Sequence, residues 1–235
     1  MDLQSRTPAP LAGRAWSALI WRRRRGAYPL AAYEPERDVP ARTIDLRVVA
    51  KPFATRRLQV LPGFVEPSAT GLERIGREAT ALATLFRNVS SRLWEGPFVA
   101  PVATRPTSNF GTRSIFNGQP RAPHAGVDFN AATGTPIVAP GAGRVVFAGD
   151  LFFTGKTVVI DHGSGLFSLL AHLSVVTVQP DDLVRRGVVI GRVGATGRAT
   201  GPHLHWGVRL NAARVDPLSL LFATRREADT HERGS

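Results

Sequence analysis

Pro202-His203-Leu204-His205-Trp206-Gly207-Val208-Arg209-Leu210 reads as a short apolar strand entered through glycine and proline. On a strand, residues two apart share a face about 7 Å apart along the backbone, so His203 and His205 point the same way. Working outward, Arg144–Ala148, Lys156–Asp161, Leu166–Leu173 and Val188–Val193 are further short apolar runs. Glycines such as Gly149, Gly163, Gly165, Gly187 and Gly194 stand between them or at their edges. Many short strands with turn residues at regular spacing predict an antiparallel sheet, sandwich or barrel-like, and no helix of ordinary length is expected between 97 and 216. The glycines of 191–201 lie between strands and read as tight turns, not as a phosphate-binding loop.

The N-terminal part reads differently. In Thr43–Ala50, Ile44, Leu46 and Val48 alternate with Asp45 and Arg47, a strand pattern, and Arg57–Leu61 is a second strand candidate closed by Pro62-Gly63. Pro35, Pro40 and Pro52 interrupt the rest, so 1–66 is expected to be a small or incomplete β module. Leu72, Ile75, Ala79, Leu82 and Phe86 recur at helical spacing, with Thr70 and Glu73 as a capping box and Asn88 as a stop. This predicts a helix over about 70–88 within a linker, 67–96. The expected organisation is therefore mainly β: a small module at 1–66, a helical linker at 67–96, an antiparallel β domain at 97–222 and a polar tail at 223–235.

Composition narrows the chemistry. The 235 residues include 30 Lys plus Arg and 18 Asp plus Glu, a formal charge of +12, and only Lys51 and Lys156 are lysine. An anionic partner is one reading of that charge, but no recognised motif or aromatic interleaving supports nucleic acid. The basic run Arg22–Arg25 beside Trp21 is read as a solvated loop. Cysteine is absent, which excludes disulfides, cysteine zinc sites, iron–sulfur clusters and a cysteine nucleophile. No run of about 18 apolar residues is present, so no membrane span is expected. The opening residues also lack the form of a signal peptide, since Met1–Pro10 is polar and Arg14 breaks the apolar stretch that follows.

Five of the six histidines fall within 124–205. Without cysteine, a transition metal must be held by imidazole and carboxylate. His203-Leu204-His205 can place two rings on one metal, or one on the metal and one on a substrate. His124-Ala125-Gly126-Val127-Asp128 is a second donor segment, in which Gly126 loosens the chain. His172 ends the apolar run Leu169–Leu173 and joins the same set. His162, in Ile160-Asp161-His162-Gly163, is read as a structural histidine in a turn, and His231 as part of a frayed tail.

Taken together, Pro123–Phe129, Gly134–Pro140, Gly143-Arg144-Val145, Ala171-His172-Leu173 and Gly194–Trp206 resemble the lysostaphin-type (LytM-type) zinc metallopeptidases that cut peptidoglycan cross-bridges. The resemblance covers about 97–222, and Ser108–Arg113 resembles the family's strand ahead of the active site. It implies that His124, Asp128 and His205 are the zinc ligands and that His172 and His203 are catalytic. Three protein ligands with one open position is the pattern of a catalytic zinc site. The resemblance implies a zinc-bound water attacking a peptide carbonyl, with His203 assigned as base and His172 as oxyanion stabiliser, roles that are interchangeable on the sequence alone.

Two departures, Leu170 for the family's frequent Tyr and Trp206-Gly207 for its Phe-Glu, are expected to alter substrate fit. The first 66 residues resemble a shortened form of the β module that precedes some members' catalytic domain, with Ala18–Arg22 as an eroded piece of it. The implied substrate is the cross-bridge or stem peptide of peptidoglycan, cut by a monomer in the cell envelope, either periplasmic or extracellular. A catalytically silent relative that regulates a cell-wall hydrolase is the alternative. Such relatives lose ligands, whereas all five positions are intact here.

Overall fold

The computed structural model describes residues 26–33 and 40–232. The chain divides into two compact units, Met1–Pro52 and Phe53–Ser235. In the first, β1 (Gly26–Tyr33) and β2 (Pro40–Val48) pair antiparallel, with Tyr28 opposite Leu46 and Leu30 opposite Ile44. The alternation noted from Thr43 onward belongs to β2. Arg22–Arg25, Trp21 and Ala18–Arg22 lie outside the described residues.

The second unit opens with β3 (Thr55–Leu58), a single 3-10 turn and α1 (Ala69–Leu85). There follow β4 (Pro106–Ser108), β5 (Arg113–Phe116), β6 (Gln119–Arg121), β7 (Gly126–Asn130), β8 (Pro136–Val138) and β9 (Gly143–Leu151). Then come β10 (Gly155–Gly163), β11 (Leu166–Val176), β12 (Leu183–Val184), β13 (Val189–Val193), β14 (His203–Leu210), β15 (Ala213–Val215) and α2 (Pro217–Glu232). The large sheet runs β12-β9-β10-β11-β14-β7-β4, every neighbour antiparallel, with β13 bridging β11 and β8 and β15 on β14. The five strand runs read from the C-terminal sequence are β9, β10, β11, β13 and β14. A small sheet joins β3, β5 and β6, and its β3–β5 pair is parallel.

The core lies on one face of the large sheet, where Trp206, Phe98, Phe129, Ile160, Leu170 and Leu204 are fully buried. On β14 the alternation is strict near its start: Leu204 and Trp206 enter the core while His203 and His205 stay half-buried. Trp206 and its neighbour Leu170 across the β11–β14 ladder are both fully buried. Neither side chain is open to a substrate, so of the two departures only Gly207 remains to alter substrate fit, since it lies on the histidine face, where a Cβ would stand 3.6 Å from His205 Nε2.

α1 docks on the sheet rather than spanning a gap. Phe86, just past its end, packs edge-on against Phe167 at 5.5 Å with Val159 beneath, and Leu82 and Leu85 add to that cluster. Burying one such phenylalanine is worth about 2–3 kcal/mol. Arg74 pairs with Asp150 at 2.9 Å, and Glu78 accepts from the backbone N–H of Phe152 at 2.8 Å. The buried face is rotated from the predicted stripe, because Leu72 is 58% exposed while Gly71 is buried against Pro67 and Phe152. The cap differs as well. Ser68, not Thr70, accepts from the Gly71 N–H, at 3.2 Å.

The boundaries read at 66 and 96 differ from the observed division at Pro52/Phe53, because β3 is hydrogen-bonded into the second unit through β5. Ser108 closes β4, and Asn109–Thr112 form a turn rather than a strand. At the other end, α2 replaces the start of the expected polar tail. Asp216 accepts from the Leu218 N–H at 3.0 Å, Pro217 occupies the first helical position, and Thr224 accepts from the buried Phe98 N–H at 3.0 Å. The side chain of His231 lies outside those described.

Candidate metal centre

Strand register assembles the site. Across the sheet, Ala171 lies opposite His205, His205 opposite Asp128, and Asp128 opposite Ser108. His124 precedes β7, where its N–H donates to the Thr112 carbonyl and its own carbonyl accepts from the Gly111 N–H. Gly126 does not loosen this segment but makes room in it. A Cβ there would strike the Trp206 carbonyl and lie 2.8 Å from His205 Cε1.

His124 Nε2, His205 Nδ1 and Asp128 Oδ1 form a triangle with 2.9 Å sides. His172 and His203 stand beside it, their ring centroids 4.6 Å apart, with His172 6.1 Å from His205. All five residues named from the sequence therefore meet in one place. His162 does not. It is the penultimate residue of β10, fully buried, rather than part of a turn.

Backbone carbonyls set the proton on three of these rings. A carbonyl only accepts, so each ring nitrogen facing one must carry its hydrogen. His124 Nδ1 faces Asn109 O at 3.2 Å, His172 Nδ1 faces Thr196 O at 2.8 Å, and His203 Nδ1 faces Gly201 O at 2.8 Å. Each neutral ring is left with a lone pair on Nε2. The glycine-rich 194–202 loop thus orients both flanking histidines, a task beyond turning the chain. His172 itself has φ +66 where β11 loses regular register with its neighbours, and its N–H donates to Thr154 O at 2.8 Å. A non-glycine residue in this left-handed region marks a bulge that re-aims the side chain.

The donor set itself calls for a cation. His124 Nε2 and Asp128 Oδ1 are both acceptors, and one proton on His205 Nδ1 cannot serve both at once. His–Asp–His is a set that zinc takes, and these three are the described residues whose donor atoms cluster closely enough to hold an ion. Burial pushes the Asp128 carboxyl up, but contacts with His124 and His205 outweigh it and hold the group far below the usual carboxylate range. Burial pushes His205 down and, with the neighbouring His203 and His205, takes His172 to about 3. Neutral imidazole is the form that binds metal.

One site residue was missed in the sequence. Arg56 on β3 donates from Nη1 to Asp128 Oδ2 at 2.7 Å and to Ser108 Oγ at 3.0 Å, and from Nε to Ser114 Oγ at 3.1 Å. It leaves Oδ1 to face the two histidines. No signal in the sequence near Arg56 announces this, because the partner strand β5 lies some 58 residues further on.

A His–Asp–His donor set flanked by two more histidines, on an antiparallel sheet, defines a metallopeptidase-class site. The comparisons with known proteins carry this further. Peptidase family M23 matches residues 122–217. A crystal structure of a putative M23 peptidase from Pseudomonas aeruginosa superposes with a TM-score of 0.62 at 40% identity, covering 77% of this chain and 68% of that one. The chain belongs to peptidase family M23, a family of zinc metallopeptidases.

Over 123 residues it is 42% identical to the DD-carboxypeptidase/endopeptidase Mpg of Neisseria meningitidis serogroup B, covering 52% of this chain and 28% of that protein. Over 115 residues it is 43% identical to the peptidoglycan DD-endopeptidase ShyA of Vibrio cholerae, covering 48% and 27%. The match thus spans less than a third of either curated relative.

Proposed function

We propose that this chain hydrolyses a peptide bond in the cross-links of bacterial peptidoglycan, with zinc held by His124, Asp128 and His205 and with His172 and His203 as the catalytic groups. The carrying observation is the triangle of three metal donors with two further histidines beside it, each turned by a backbone carbonyl to leave Nε2 free. The relatives' names supply the substrate class. When bound, zinc would supply a Lewis acid and a water whose pKa is lowered to about 7.

The chain's own residues carry the proton work. His172, with Nδ1–H committed to Thr196 O, and His203, with Nδ1–H committed to Gly201 O, each accept only at Nε2 when neutral. Either ring can therefore take the proton of the attacking water at Nε2 and, as imidazolium, stabilise the developing oxyanion or protonate the leaving amine. The two rings share one hydrogen-bond pattern, so the base and oxyanion roles are as interchangeable by geometry as they are on the sequence. All five groups come from one chain, which supports action as a monomer, and the substrate places that action in the cell envelope. Among the described residues no helix is long and apolar enough to cross a membrane.

The test is to incubate purified protein with cross-linked peptidoglycan and follow the release of uncross-linked fragments beside the zinc content. About one zinc per chain, with release abolished by chelation and restored by zinc, is expected. A folded chain that takes up zinc and releases nothing overturns the proposal.

A further inference from the structure

Positive charge surrounds the histidines beyond what the proposed chemistry uses. In the small sheet, Arg56, Ser114 and Arg121 lie directly opposite one another across β3, β5 and β6. Two residues along β5, on the same face, stands Phe116. The Arg198 guanidinium lies 4.8 Å from the Phe116 ring and 4.4 Å from that of Phe153. Arg198 belongs to the 194–202 loop, two residues beyond Thr196, whose carbonyl holds His172. Arg56 thus touches the metal donor Asp128, Arg198 shares the loop that orients both flanking histidines, and Arg121 lies within electrostatic reach of Arg198.

Their counter-charge is short. Asp128 Oδ2 is bonded to Arg56. Arg121 gives Nη2 to Val65 O at 2.9 Å and to Gln119 Oε1 at 2.7 Å, both uncharged, and its Nε is buried without a partner among the described residues. The Arg198 guanidinium meets two phenyl rings and no acid among the described residues. Burial, then the charges of Arg121 and Arg56, push Arg198 down to about 10, a value at which it remains a cation near neutral pH. A half-buried guanidinium beside two others, with ring faces in place of an acid, lacks an anion, and its planar fork matches a carboxylate in shape.

We infer that Arg198, with Arg121 beside it, binds a carboxylate of the substrate peptide flanking the scissile bond. This rests on the peptidoglycan reading above and narrows it to cross-links that carry a free acid near the cut. The two phenyl rings flank the guanidinium and restrain its position, and its planar fork favours bidentate geometry as well as charge.

The test measures equilibrium binding, with cleavage followed separately. The probe is a synthetic stem-peptide dimer joined through D-alanine and a diamino acid, as the free acid and with every carboxyl amidated. The zinc-loaded wild-type protein is compared with Arg198→Gln and Arg121→Gln, each checked for zinc content. Wild type is expected to bind the free acid about 10–100-fold more tightly than the amide. Arg198→Gln should bring the free acid to the affinity of the amide, and Arg121→Gln should remove part of the difference. Equal affinity of wild type for the two forms overturns the inference whether or not either is cut. An unequal affinity without cleavage of either leaves the carboxylate site standing and counts against the hydrolase reading instead.

Discussion

His205 and Trp206 are consecutive on β14, yet each ends in a buried polar cluster of opposite character on opposite faces of the sheet. On the core face, Trp206 Nε1–H donates to Ser168 Oγ at 3.1 Å, Ser168 Oγ–H to His162 Nε2 at 2.9 Å, and His162 Nδ1–H to Ala142 O at 2.8 Å. Every donor there meets one acceptor, and the chain ends on a carbonyl. On the other face, His124 Nε2 and Asp128 Oδ1 converge on His205 with too few protons between them. A buried histidine whose bonds close is part of the core. One whose lone pair meets other acceptors is waiting for a cation. Burial alone does not separate the two, since His162, His172 and His124 are all below 9% exposed.

The sharpest way to break this contrast is to remove an acceptor from the open cluster. Asp128→Ala or His205→Ala should lose zinc and lower cleavage by about 10⁴-fold or more while the fold persists. Zinc analysis, circular dichroism and fragment release check this, and a zinc-loaded Asp128→Ala would break it.

Next come the two carbonyl-held rings. His172→Ala and His203→Ala should keep zinc yet lose about 10²–10⁴ in rate. Activity per bound zinc decides, and loss of metal in either variant would make that ring a ligand.

The closed cluster should respond in stability instead. His162→Ala should cost about 3 kcal/mol in denaturant unfolding, because a fully buried ring leaves a cavity and strands Ser168 and the Ala142 carbonyl, with zinc content unchanged. Burial lowers His162 to about 4 from an ordinary 6.5. The unfolded chain therefore binds the proton more readily, and stability present above pH 6.5 is lost as pH falls toward 4, by up to about 3 kcal/mol. Urea midpoints across this range for wild type and His162→Gln isolate the contribution. An identical acid slope in both would assign it elsewhere.

The smallest expected effect is at the rim. Arg56→Gln should weaken zinc binding about tenfold by releasing Asp128 Oδ2, as read by competition with a chelator, with little change in melting temperature.

How far the sequence carried this reading depends on range. His203 and His205 were legible because two-residue spacing on a strand is local, and β9 to β14 because glycine and apolar runs mark strand ends. The same alternation, carried one residue further, places Trp206 in the core, a signal in the sequence that its reading as a substrate contact overlooked. Arg56 was not legible, because a four-residue strand paired in parallel with one far along the chain leaves no local pattern. The buried face of α1 also escaped. Arg74 and Glu78, polar residues, bind Asp150 and the Phe152 N–H, so the docked face was not the most apolar one. α2 was hidden because a polar anchor that ties it to the domain, Thr224 to Phe98, links residues 126 apart.

The positive φ of His172 sets backbone strain against side-chain anchoring at a single position. L-residues pay about 1–2 kcal/mol for that backbone geometry and glycine pays none. The ring offsets that cost, because it is buried and its Nδ1–H holds the Thr196 carbonyl, so glycine at 172 would relax the backbone while opening a cavity and stranding an acceptor. Strained backbone and packed ring are thus one coupled device, and a library that relaxes the one gives up the anchoring of the other.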